Sequence, residues 1–124
     1  MTQKIAGVIA RMDWENTLNL LPAMGRSTED TRVVLDLEAP GHLGNGFLQK
    51  VVEMVVIHQA SELFVIGSSY SETAQDVLDR VTSLRQSDQL PANLPIHGLL
   101  YNPANYRLEL VYRGYEERVG YGVI

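Results

Sequence analysis

Leu63-Phe64-Val65-Ile66-Gly67-Ser68-Ser69-Tyr70-Ser71 decides how this chain reads. An apolar run rich in strand formers passes through glycine into hydroxyl residues, and a helical pattern follows at once. From Ser71 to Gln86, Ala74, Val77, Leu78, Val81 and Leu84 recur at helical spacing. Glu72, Asp76, Asp79 and Arg80 fall between them and are expected to face water. Ser69 and Glu72 have the spacing of a capping box, which places the helix start here. A buried strand that turns directly into a helix is the unit of α/β folds, and ligands gather at such crossings.

The same alternation extends in both directions. Upstream, Ile5–Ala10 reads as a first buried strand and residues 13–24 as a helix with Trp14, Leu18 and Leu21 on one face. Pro22 distorts the end of that helix. Residues 33–37 read as a second strand, 39–46 as a glycine- and proline-marked loop, and 47–59 as a helix with Phe47, Val51, Met54, Val55 and His58 inward. Downstream, 96–101 and 108–112 are strands joined by the turn Asn102-Pro103-Ala104-Asn105, close enough to pair as an antiparallel hairpin. The pattern predicts a three-layer α/β fold: a short, mainly parallel sheet with an antiparallel edge strand. Residues 1–124 are expected to form one domain, with 113–124 as a tail whose tyrosines, Tyr115 and Tyr121 with Tyr112 just before them, either form an interface or cover the sheet edge.

Composition narrows the function classes. The chain has 124 residues, 45% hydrophobic and 20% charged, as expected of a compact core rather than disorder. Its formal charge of -5 and the lack of a Lys/Arg run argue against nucleic acid and anionic membrane as partners. No apolar run spans a bilayer and no cleavage pattern opens the chain, so the expected location is cytoplasmic. There is no cysteine, which removes disulfides, thiolate nucleophiles and sulfur-ligated zinc or iron–sulfur centres.

What remains is modest chemistry. The Gly67–Ser71 turn lacks the lysine of a P-loop, the three glycines of a dinucleotide fingerprint and the Gly-x-Ser-x-Gly of a nucleophile elbow. Its serines either cap the helix or, with backbone N–H groups, hold a small anion. Asp13, just past the first strand, either caps a helix or serves as a base. His42, His58 and His97 have no metal-ligand spacing; His58 is expected in the core, His97 packed across a strand and His42 exposed. No cofactor is called for.

These segments, in this order, resemble the β-class carbonic anhydrases. That family carries Cys-x-Asp-x-Arg after its first core strand, where this chain has Arg11-Met12-Asp13-Trp14-Glu15. It carries Gly-His-x-x-Cys after a central strand, where this chain has Gly67-Ser68-Ser69-Tyr70-Ser71. Asp76-Val77-Leu78-Asp79-Arg80-Val81 through Leu84-Arg85 looks like its late helix. Leu94-Pro95-Ile96-His97-Gly98-Leu99-Leu100-Tyr101-Asn102 resembles its Val-His-Gly-x-x-Tyr-Asp strand and turn, with Arg107-Leu108 following. The resemblance spans about residues 5–112.

In that family two cysteines and a histidine hold zinc beside an Asp–Arg pair. The resemblance puts Arg11, Ser68 and Ser71 at the three ligand positions, keeps Asp13, and sets Glu15 where the arginine would stand. It therefore implies the fold with a dismantled metal site and negligible zinc-dependent activity. A structural, assembly or regulatory role follows, with self-association, a dimer first, because members of the family pair. The alternative is a metal-independent small-anion sensor or enzyme built on Arg11, Asp13, Ser68, Ser69 and Ser71.

Overall fold

A computed structural model describes residues 5–10, 17, 19–24, 29–35 and 45–114. Five strands form one sheet: β1 (Ile5–Ala10), β2 (Thr31–Leu35), β3 (Ala60–Ser68), β4 (Ile96–Asn102) and β5 (Arg107–Tyr112). Their order across the sheet is β2-β1-β3-β4-β5. The first four run parallel, and β5 pairs antiparallel with β4 from Asn102↔Arg107 to Gly98↔Tyr112. Two helices, α1 (Asn45–Val56) and α2 (Ala74–Arg85), connect β2 to β3 and β3 to β4. Thr17, Asn19 and Leu20 are helical and lead into a 3-10 turn at Pro22–Met24, where the proline was expected to end regular helix. No described helix is long and apolar enough to cross a membrane.

Strand alternation divides the sheet into two packed faces. Leu63 and Val65 of β3, with Ile9 and Ile96, meet Val51, Met54 and Val55 of α1 and Val77, Val81 and Leu84 of α2. On the other face Val8, Ala10, Ile66, Leu99 and Tyr101 pack with Leu20 and Leu21. This is the three-layer α/β arrangement expected from the sequence. The chain steps one way from β1 to β2 and the other way from β2 through β3 to β4. Right-handed crossovers then require covering segments on opposite faces, as the two clusters show.

Several element limits differ from the sequence reading, each for a local reason. β2 starts at Thr31, two residues early, because the parallel ladder with β1 takes in Ala6↔Thr31 and Gly7↔Arg32. α1 ends at Val56, and Gln59 adopts a left-handed φ of 58°. His58 lies beyond the helical repeat and is exposed rather than in the core. β3 runs on through Gly67 and Ser68, so Gly67 is a strand residue, not the bend.

Gly67 is there for close approach. A Cβ at this position would sit 2.5 Å from Glu72 Oε1 and 2.7 Å from Val77 Cγ2. Directly above it lies an ion pair: Arg80 Nη2 donates to Glu72 Oε1 at 2.7 Å, with both side chains fully buried. Arg80 occupies the same stripe as Val77, Val81 and Leu84. Both residues were expected to face solvent; instead each neutralises the other beneath the helix. Removing one partner of such a pair strands a charge in a low-dielectric interior, at a cost of about 3–5 kcal/mol, whereas replacing both with neutral groups is far milder. Arg80→Met should therefore lower the urea-unfolding free energy by about that amount, and Glu72→Gln/Arg80→Met should recover a large part of it. An Arg80→Met loss below about 1 kcal/mol would contradict the assignment.

Candidate functional site

The crevice outside the carboxyl ends of β1 and β3 is the topological switch point of this sheet, since the chain leaves those two strands in opposite directions. Ser68 ends β3 here, two residues past the Ile66↔Ala10 pair that closes β1. Arg11 and Asp13, which follow Ala10 in sequence, lie outside the described residues, as do Trp14 and His42. The described portion of the candidate site is therefore the serine turn.

Its hydrogen bonding is largely internal. Ser69 N–H continues the ladder by donating to Tyr101 O at 2.8 Å. Ser68 O accepts from both Ser71 N (3.0 Å) and Glu72 N (2.8 Å), closing a tight turn. Ser68 Oγ, only 6% exposed in its residue, accepts from Tyr70 N at 3.4 Å. Thr73 N donates to Asp76 Oδ2 at 2.8 Å, and Asp76 N returns a bond to Thr73 Oγ1 at 3.2 Å. The capping box is thus Thr73 with Asp76, four residues after the Ser69 expected from the sequence, and α2 starts correspondingly later. Every backbone N–H from Ser69 to Thr73 already has an acceptor. What the turn offers to a ligand is hydroxyl chemistry, with Ser69, Tyr70 and Ser71 exposed.

Beside the turn, Ser69 borders an open groove of about 650 Å³, lined also by Leu100, Asn102, Asn105, Arg107 and Glu109 of the β4–β5 hairpin. Two of its amides have structural duties: Asn102 Oδ1 accepts from Ala104 N and Asn105 Oδ1 from Arg107 N. These bonds hold the turn in which Tyr106 takes a positive φ of 59°.

A second polar cluster sits at the opposite end of the sheet. His97 stacks on Phe64 at 4.8 Å between ring centroids and lies 3.0 Å from Glu62 Oε2 through Nε2. Gly114 N–H donates to Nδ1 at 2.9 Å. An atom that accepts from an amide carries no proton, so the neutral ring is the Nε2–H tautomer and donates to the Glu62 carboxylate. The sequence reading placed His97 across a strand but did not find Glu62, which stood at a strand start with no periodic signal of burial. Tyr112, read with the tail tyrosines, receives a hydrogen bond from Arg85 Nη1 at 2.9 Å; Tyr115 and Tyr121 lie outside the described residues.

The architecture recurs in known structures. A β-carbonic anhydrase from Trichomonas vaginalis superposes with a TM-score of 0.75 at 14% identity, covering 93% of this chain and 87% of that one. The fold is that of a β-carbonic anhydrase. A carbonic anhydrase from Streptococcus mutans gives 0.73 at 16% identity, covering 90% and 86%. The apo form of a carbon disulfide hydrolase gives 0.71 at 12% identity, covering 86% and 78%. No protein-family model matches the chain, and no curated protein matches it in sequence.

Zinc, implied by this fold family, does not fit the donor set in hand. Ser68 and Ser71, which the resemblance matches to two of the ligand positions, carry neutral hydroxyls in place of imidazole and thiolate, and Ser68 Oγ is already in a hydrogen bond. Among the described residues no three His, Cys, Asp or Glu side chains converge on a metal position, and the chain contains no cysteine. The β-carbonic-anhydrase-like scaffold is thus present without its sulfur ligands.

The two capping assignments separate cleanly by mutation. Thr73→Ala should cost about 1 kcal/mol in chemical denaturation, while Ser69→Ala should stay within about 0.5 kcal/mol of the parent. The reverse ranking would restore Ser69 as the helix cap.

Proposed function

We propose that this chain is a non-catalytic, β-carbonic-anhydrase-like protein with a structural, assembly or regulatory role, acting as a homodimer. The observation that carries the reading is the serine turn: Ser68, which the resemblance matches to a zinc ligand, is a buried hydroxyl already bonded to Tyr70 N–H. Acidifying a water at neutral pH requires a bound metal, and neutral hydroxyls do not hold one in competition with water. Support for pairing comes from the resemblance and from apolar side chains left at the surface, among them Tyr106, Leu110, Val56 and Ile57. Protein purified without chelator should contain substoichiometric zinc and hydrate carbon dioxide at the rate of buffer. Stoichiometric zinc with hydration that a chelator abolishes would overturn the non-catalytic reading. Light scattering should return twice the chain mass, and a single-chain mass at every working concentration would overturn the dimer.

A second reading keeps the same crevice for a small anion. One observation favours it: exposed Ser69 faces the open groove at the carboxyl ends of β3 and β4, where ligands of open α/β sheets bind. In this reading Arg11 neutralises the anion, Asp13 orients Arg11 or takes a proton, and Ser68, Ser69 and Ser71 shape the hydrogen bonding. Calorimetric titration with bicarbonate or phosphate should then give saturable binding that Arg11→Ala removes. No heat at millimolar anion would end this reading.

A further inference from the structure

β5 is last in the sheet order, and no described strand covers its outer side. An uncovered edge strand is a template for another chain, and proteins ordinarily blunt it with charged side chains, lysine above all, or with proline. β5, Arg107-Leu108-Glu109-Leu110-Val111-Tyr112, has no proline and no lysine. Its two charges are of opposite sign and two residues apart, hence on one face of the strand. Both side chains are exposed, and neither has an ion pair among the described residues. On the other face, Leu110 is 47% exposed, and Tyr106, just ahead of the strand, is 79% exposed.

We propose that β5 pairs antiparallel with β5 of a second copy, centred on Leu108, so that two five-stranded sheets join into one. The proposal rests on the homodimer reading above and names its surface. Charge selects the register. A two-fold axis normal to the sheet sets residues of one face opposite residues of the same face. Centred on Leu108, Arg107 stands opposite the partner's Glu109, and the partner's Arg107 stands opposite Glu109. Centring on Arg107 sets arginine against arginine, and centring on Glu109 sets glutamate against glutamate. Centring on Leu110 brings Arg107 against the partner's Arg113. Directly opposed opposite charges stabilise a sheet, and like charges destabilise it. The Leu108 register also puts leucine on leucine at the axis and exposed Leu110 beside the partner's exposed Tyr106. A strand whose charges would deter other edges is thereby complementary to its own reversed copy.

The absence of cysteine makes this directly testable. In Leu108→Cys the two thiols face each other across the axis, at a Cα separation of about 4.5–5.5 Å that a disulfide spans. Mild oxidation should link this variant into covalent dimers. Leu110→Cys is the control: each Leu110 lies about 13 Å along the strand from its copy and should not link. In light scattering, Arg107→Glu should weaken the dimer at least tenfold, and Arg107→Glu/Glu109→Arg should restore it, a rescue that general destabilisation cannot produce. A parent that is monomeric at all concentrations overturns both this surface and the dimer reading. A parental dimer that ignores the charge changes and fails to link through Leu108→Cys overturns the surface alone. Linking through Leu110→Cys in preference to Leu108→Cys overturns the register.

Discussion

The crossing from β3 to α2 depends on the ion pair between Glu72 and Arg80, held at 2.7 Å in a space that only glycine at position 67 leaves open. Both charges lie where water cannot reach, so each offsets part of the other's desolvation cost. The pair ties the residue that ends the serine turn to the middle of α2. The turn's own bonds, from Ser71 and Glu72 to Ser68 O, and the Thr73–Asp76 box then complete a short stretch with no slack. The geometry of the switch-point crevice is inherited from this buried electrostatic contact.

That dependence explains what was legible in the sequence. Ile5–Ala10, the central apolar run and the Asn102–Asn105 turn were readable because burial and turn chemistry are local signals. The mainly parallel sheet followed from the strand–helix alternation and the antiparallel edge from the short connection between the last two strands, whereas the strand order was not read from the sequence. Arg80 was misread because a charge on an apolar helical stripe signals exposure until its partner is known, and Glu72 lies eight residues away across a turn. The cap was misplaced because Ser69 and Thr73 each stand three residues before an acid; the reciprocal Thr73–Asp76 bonds and the ladder bond from Ser69 to Tyr101 decide between them. His58 was misread because the apolar repeat was carried past the true end of the helix.

For the candidate site, sequence reasoning singled out the crossing at Gly67–Ser71, which the fold sets at the carboxyl end of β3. It did not foresee that the turn's backbone donors would all be engaged. This shifts the weight of any ligand chemistry from backbone amides to hydroxyls, and it makes the turn a structural closure in its own right. A fold family known for a metal centre here retains the strand order that created the crevice, with the crevice's wall built from self-satisfied backbone.

The bond from Gly114 to His97 has a consequence at the other end of the molecule. His97 stands near the start of β4 and Tyr101, level with Ser68, near its finish, about 13 Å further along. Gly114 is therefore held at the sheet's amino pole by a ring nitrogen, while the crevice opens at the carboxyl pole. The bond that fixes the end of the described chain and the bonds that wall the crevice thus stand at opposite poles of one sheet, with no group in common.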